Sequence, residues 1–237
     1  MTIPDLKIKL FADGADTRGM VEMYRLPWIE GFTTNPTLMR KAGVTDYRAF
    51  AREVLAAIPD RPISFEVFSD EFDDMDRQAR EIASWGGNVY VKIPVTNTRG
   101  ESSRELVRRL SSDGVKLNVT AVFTLDQIRE VVAQLDPDTA AYVSVFAGRI
   151  ADTGRDPVPH MAEALAIVRR CASAELIWAS PRELLNVFHA ESIGCDVITL
   201  TNDLLAKLAS CGKDLATFSL ETVQMFRDDA AAAGYKL

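Results

Sequence analysis

Apolar residues in this chain gather in short runs separated by longer amphipathic stretches, and the alternation continues from end to end. The runs fall at Lys9–Asp13, Ile29–Thr33, Ile63–Val67, Val89–Ile93, Lys116–Thr120, Ala141–Phe146, Glu175–Ala179 and Val197–Leu200. Runs this short and this apolar suit parallel strands covered on both faces. Between them the pattern predicts helices over about 46–58, 72–85, 101–112, 124–135, 159–172, 181–192 and 202–210, with a weaker one over 16–26. Glu71-Phe72-Asp73-Asp74 places acids in a first turn, and Gly114, Gly194 and Gly212 each follow a helical stretch as caps do. Eight strand–helix alternations without a Pro/Gly-rich linker predict an α/β fold, a closed (β/α)8 TIM barrel forming one domain over residues 1–237. The rival is a doubly wound open sheet, whose GxGxxG or P-loop motifs are not found in the sequence. A last helix, about 214–233, carries Leu215, Phe218, Val223 and Phe226 on roughly one face. No strand follows it, so it is expected to pack on the barrel exterior or on another subunit.

Composition narrows the picture without redirecting it. The 237 residues are 47% hydrophobic and 26% charged, the balance of a folded globular protein. A net charge of −7 argues against nucleic acid or an anionic membrane as the main partner. A few local arginines still permit a phosphorylated substrate. The opening MTIPDLKIKLFADGAD has no basic stretch followed by an apolar core, and no apolar run approaches the roughly 20 residues that cross a bilayer. A soluble, cytoplasmic protein is expected. Cys171, Cys195 and Cys211 are odd in number, widely spaced and without a CxxC, which speaks against a disulfide framework or a structural zinc site. The only histidines, His160 and His189, suit surface or packing roles in their predicted helices. Chemistry is left to lysine, carboxylates and hydroxyls.

In a (β/α)8 barrel the active site lies at the C-terminal ends of the strands. Those ends carry Asp13, then Thr33-Thr34-Asn35-Pro36, Glu66, Lys92, Asn118 with Thr120, Phe146 with Arg149, and Ser180 with Arg182. The set is polar although the strands bearing it are apolar. Lys92, in Val89-Tyr90-Val91-Lys92-Ile93-Pro94-Val95, has two readings. A lone strand lysine can snorkel to solvent or pair with a carboxylate, and Asp13 and Glu66 are available partners. Alternatively it is a Schiff-base nucleophile: an amine stripped of water in an apolar strand is more readily neutral and able to attack a carbonyl. Two carboxylates beside it would supply the acid and base of imine chemistry.

Four segments resemble the transaldolase family, in its small, short-chain branch, which includes the fructose 6-phosphate aldolases. They are Gly31-Phe32-Thr33-Thr34-Asn35-Pro36-Thr37-Leu38, Val89-Tyr90-Val91-Lys92-Ile93-Pro94-Val95-Thr96, Leu117-Asn118-Val119-Thr120-Ala121-Val122-Phe123 and Phe146-Ala147-Gly148-Arg149-Ile150. Their order and spacing extend the resemblance over nearly the whole chain. It implies that Lys92 is the Schiff-base nucleophile and Asp13 the general acid/base. Glu66 and Thr120 would hold the water that relays protons. Thr33, Asn35 and Asn118 would bind the hydroxyls of a dihydroxyacetone unit, with Phe146 beside them. Arg149, Ser180 and Arg182 would hold the sugar phosphate, near the usual phosphate corner of such barrels. Two plainer readings stand beside these: Arg149 with Asp152 as a surface pair, and Ser180-Pro181 as a helix start.

Two letters bear on the branch. The aldolases resemble one another in having glutamine at the position of Glu66 and tyrosine at that of Phe146, so both letters here are of transaldolase type. Val95-Thr96-Asn97-Thr98-Arg99-Gly100 is one residue longer than the family's second signature before its glycine, and Pro181 stands where an aromatic is common. Both departures touch loops that would choose the acceptor. The resemblance thus implies transfer of a dihydroxyacetone unit from fructose 6-phosphate or sedoheptulose 7-phosphate to an aldose phosphate, as in pentose phosphate metabolism. It implies no metal and no organic cofactor, sugar phosphates as partners, and a homo-oligomer. The alternatives are aldolase-type cleavage releasing dihydroxyacetone, a specialised sugar-pathway transaldolase with an unusual acceptor, and a barrel kept for binding without turnover.

Overall fold

In a computed structural model of the chain, which describes residues 6–236, eight parallel strands close into a barrel in sequence order. The strands are β1 (Lys9–Asp13), β2 (Ile29–Thr33), β3 (Ile63–Glu66), β4 (Val89–Pro94), β5 (Leu117–Val122), β6 (Ala141–Val145), β7 (Ala174–Trp178) and β8 (Val197–Thr201). Closure is made by β8, which pairs with β7 on one side and with β1 on the other. The helices are α1 (Thr17–Tyr24), α2 (Pro36–Lys41), α3 (Tyr47–Ala57), α4 (Phe72–Ala83), α5 (Arg104–Ser112), α6 (Leu125–Val132), α7 (Ala147–Ala151), α8 (Pro157–Val168), α9 (Leu185–Ser192), α10 (Asn202–Ala206) and α11 (Leu215–Ala232). No described helix is long and apolar enough to cross a membrane, and all three cysteines are free thiols.

Each predicted strand forms with its ends within two residues of the expected ones. Several helices differ for local reasons. The one expected from residue 101 begins at Arg104, because a bridge between Thr96 and Ser102 folds the preceding residues into a tight loop. The one expected from 181 begins at Leu185. Ser180 adopts a left-handed φ of 59° instead of a capping geometry, and Asn186 Oδ1 accepts from the backbone N–H groups of Arg182 and Glu183. Ser180-Pro181 is therefore a turn and not a helix start. The stretch 202–210 divides into α10 and a 3-10 turn, Lys207–Ser210. Two short helices, α2 and α7, went unpredicted. Gly114, Gly194 and Gly212 do sit at positive φ after their helices, at 80°, 70° and 75°.

The strands carry two apolar layers. Outward residues such as Leu10, Phe32, Phe65, Val91 and Leu176 pack under the helices in one large cluster. Inward residues form a second, smaller one of Phe11, Tyr142, Ile177, Ala179 and Val197, which plugs the barrel. Phe11 of β1 meets Tyr142 of β6 edge to face at 5.6 Å across the interior, and Gly31 makes room for it: a Cβ there would lie 2.4 Å from the Phe11 ring. At the N-terminal end of the barrel Lys9 pairs with Glu175 at 2.5 Å. Above the plug the inward residues turn polar. Asn118 donates to Ser64 Oγ at 3.0 Å and accepts from Ser144 Oγ at 2.7 Å, spanning β3, β5 and β6. The plug and this polar layer together floor the C-terminal mouth.

Helix α11 stands largely exposed. None of its residues is buried, and Leu215, Phe218, Val223 and Phe226 are joined by Leu220 and Met225 as exposed apolar side chains.

Candidate active site

The C-terminal mouth opens into a cavity of about 510 Å³. Its lining includes Asp13, Thr33, Asn35, Glu66, Lys92, Thr120, Phe146, Arg149, Ser180 and Arg182, all singled out from the sequence. Asn118 is the exception. It is fully buried one layer below, with its amide engaged by Ser64 and Ser144, so it braces the floor and does not face the cavity. The two histidines are not among the lining residues, and no three His, Cys, Asp or Glu side chains among the described residues cluster as a metal site requires.

Lys92 sits at the floor, 6% exposed. Alternation along β4 turns Tyr90 and Lys92 into the barrel while Val91 and Ile93 enter the outer core. Its Nζ donates to the Thr34 carbonyl at 2.9 Å and lies 3.3 Å from Glu66 Oε2. Glu66 ends β3, opposite Lys92 in the register, and its backbone carbonyl accepts from the Tyr47 hydroxyl at 3.0 Å. The amine is thus held by two acceptors, Glu66 at the end of the neighbouring β3 and the Thr34 carbonyl just past β2, and does not snorkel outward.

Asp13 ends β1. Its Oδ1 accepts from Thr33 Oγ1 at 2.8 Å, and that hydroxyl also meets Thr199 Oγ1 at 2.5 Å. Burial raises the Asp13 carboxyl above the usual aspartate range, and the Glu66 charge pushes the same way; the Lys92 charge and the Thr33 hydrogen bond oppose this without cancelling it. The Thr120 hydroxyl is buried and has no hydrogen-bond partner. An orphaned hydroxyl on a polar cavity wall is built to receive a water or a substrate group. The next residue, Ala121, stands at a left-handed φ of 58° where β5 bulges against β6. With Ser180 it is one of two non-glycine residues of positive φ among the described residues, and both line this cavity.

At the rim, Asn35 caps α2 through its Oδ1, which accepts from Leu38 N–H at 3.0 Å, and Pro36 opens the helix. The Asn35 Nδ2 donors and the second lone pair of Oδ1 stay unused by the cap. Across the mouth, Arg149 lies over the Phe146 ring, 5.2 Å from its centroid, while Arg182 pairs with Asp152. The surface pair expected of Arg149 with Asp152 is therefore replaced by one with Arg182. Gly148 permits this meeting of α7 with the β7–α9 loop: a Cβ there would fall 1.6 Å from the Ser180 carbonyl oxygen. The cavity also takes Ser144, Thr199, Ala121, Thr37, Leu38 and Lys41, which sequence reasoning did not pick out. Ser144 lies two residues before Phe146 and Thr199 two before Thr201, on the inward face, a relation that becomes usable only once that face is known.

Fold and cavity together define a (β/α)8 barrel with a buried lysine at the floor of its open mouth. Solved structures share the architecture at low identity. A HpcH/Hpal aldolase/citrate lyase family protein from Burkholderia cenocepacia superposes with a TM-score of 0.58 at 12% identity, covering 94% of this chain and 97% of its own. A dihydrodipicolinate synthase from Rhodopseudomonas palustris gives 0.52 at 15% identity, covering 93% and 80%. Sequence comparison narrows the class. Residues 10–237 match the Transaldolase/Fructose-6-phosphate aldolase family, and the chain belongs to it. A probable transaldolase of Dehalococcoides mccartyi is 32% identical over 85% of this chain and 90% of its own length. Another, from Streptococcus equi subsp. zooepidemicus, is 33% identical over 95% and 99%.

Proposed function

We propose that the protein is a transaldolase that carries a dihydroxyacetone unit on Lys92 as a Schiff base, taking it from a ketose phosphate and giving it to an aldose phosphate. The observation that carries this reading is the placement of the Lys92 amine: buried, 3.3 Å from the Glu66 carboxylate, on a cavity floor that also holds Asp13. The amine attacks the C2 carbonyl of fructose 6-phosphate or sedoheptulose 7-phosphate. Loss of water, with protons relayed through a water on Glu66 and Thr120, leaves an iminium. Asp13 then removes the proton from the C4 hydroxyl, the C3–C4 bond breaks, and its electron pair neutralises the iminium as an enamine. The aldose phosphate departs. An incoming aldose phosphate is attacked by C3 of the enamine, Asp13 returns the proton to the new alkoxide, and hydrolysis releases the product and the free amine. Arg149, Ser180 and Arg182 receive the phosphate. Thr33 and the Nδ2 of Asn35 address the hydroxyls of the three-carbon unit.

Borohydride reduction in the presence of fructose 6-phosphate tests this directly. The expected product is a three-carbon adduct on Lys92, read by peptide mass spectrometry. A label on another lysine, or an active enzyme with none, overturns the assignment.

We further infer self-association through α11, whose exposed apolar residues are otherwise left in water. Light scattering should give a multiple of the 26.2 kDa subunit for the full chain. Truncation after Lys213 should lower the mass to one subunit while leaving a folded barrel that still traps with borohydride. A full-length monomer at micromolar concentration ends the idea.

A further inference from the structure

We propose that Asp152 is a positioning residue for the anion end of the cavity, orienting Arg182 so that one edge of its guanidinium stays free for a phosphate. The proposal rests on the transaldolase reading only in requiring a phosphorylated substrate. Arg182 Nε donates to both Asp152 oxygens, at 3.0 and 3.1 Å, and Nη2 donates to Oδ2. These bonds occupy the side edge of the planar fork. The end edge, formed by Nη1 and the second hydrogen of Nη2, is left over, and Arg182 lines the cavity.

Three further observations favour orientation over mere pairing. The two side chains are 47% and 51% exposed, and an ion pair so exposed adds little to stability. The backbone beneath Arg182 is fixed as well: its N–H donates to Asn186 Oδ1 at 2.8 Å, and the preceding Ser180-Pro181 peptide lies against Gly148, which admits no Cβ. Asp152 therefore completes a clamp that already holds the chain on either side. Arg149 is held differently, over the Phe146 ring and with no carboxylate partner among the described ion pairs. One arginine of the pair is oriented by charge and the other by an aromatic face. A side chain ordered before the ligand arrives spares the entropy of ordering it on binding. The Asp152 carboxyl is held below the usual range by its bonds to Arg182, so this orientation persists well into acidic solution.

Competition is the opposite possibility: the carboxylate would occupy the place of the phosphate and have to be displaced. The two ideas predict opposite signs. With Asp152→Ala, orientation predicts KM for fructose 6-phosphate raised about two- to tenfold, with kcat nearly constant. KM for unphosphorylated fructose should not move. Asp152→Asn keeps one oxygen acceptor and should recover part of the loss. In an Arg182→Ala background, adding Asp152→Ala should do nothing more. Inorganic phosphate, titrated calorimetrically, should bind the wild type more tightly than the Asp152→Ala variant by the same factor, whatever reaction the protein catalyses. Tighter phosphate binding or a lower KM in the variant, an equal KM rise for fructose, or additivity with Arg182→Ala each overturns the proposal. A wild type that neither traps nor turns over fructose 6-phosphate sinks the transaldolase reading, and the phosphate titration then decides on Asp152 by itself.

Discussion

Lys92→Ala and Lys92→Arg should each lower kcat by about 10⁴-fold or more, the scale on which covalent catalysts lose their nucleophile. Arginine keeps a cation in the right place but stays protonated and cannot form an imine. If the lysine served only as a charge near the substrate, arginine would retain activity and alanine alone would fail. The pair of variants therefore separates nucleophile from counter-ion. Stability separates them further. Lys92→Ala leaves Glu66 beside a buried cavity without its partner; removing one member of a buried pair costs about 3–5 kcal/mol, and the 19% exposure of the Glu66 side chain puts this case at or below the lower end. Lys92→Arg keeps the charge and should melt nearer the wild type. A Lys92→Arg enzyme that turns over fructose 6-phosphate at a comparable rate would overturn the mechanism.

How much of this was legible in the sequence depends on what each residue had to signal. Buried parallel strands betray themselves because both faces exclude polar side chains, so a lysine or carboxylate at the end of such a run stands out. Lys92, Glu66 and Asp13 were visible for that reason. Ser64, Ser144 and Thr199 were not, since a hydroxyl within an apolar strand is unremarkable until the inward face is known. Helix α2 hid behind Asn35-Pro36, which reads as a strand-ending loop although an asparagine cap followed by proline is also a helix start. Its residues Thr37, Leu38 and Lys41 line the cavity because that helix begins at the rim. The partner of Asp152 illustrates a different failure. Arg149 is three residues away in sequence and Arg182 thirty, so local spacing favours the wrong arginine. The choice is made by Phe146, which takes Arg149 onto its ring, and by Gly148, which lets the Arg182 loop approach. Both are tertiary contacts that no local pattern encodes.

Asp13→Asn should reduce kcat by about 10²–10⁴-fold, the range for loss of a positioned general base, and should at the same time stabilise the protein at neutral pH. The second effect follows from the raised carboxyl. Burial disfavours the ionised form in the native state, so between the ordinary aspartate value, about 3.9, and the higher folded one the native chain holds a proton that the unfolded chain has released. Native stability therefore falls as pH rises through that window, and the penalty is fully present above the folded value. Asparagine has no charge to bury, and its Oδ1 can still accept from Thr33. The variant should melt at a higher temperature than the wild type at pH 7, and the gap should close below about pH 3.9, where the wild-type carboxyl is protonated in both states. Activity carries the same signature with opposite consequence. Asp13 must be ionised to take the C4 proton, so the acid limb of the wild-type kcat/KM profile should lie above the pH of an ordinary aspartate. Imine formation uses Glu66 and Thr120, so borohydride should still label Lys92 in the variant, with the uncleaved six-carbon fructose 6-phosphate adduct largely replacing the three-carbon one. An Asp13→Asn protein that melts lower at pH 7, or that transfers at the wild-type rate, would show that this carboxylate is a structural partner of Thr33 and Lys92 and not the base.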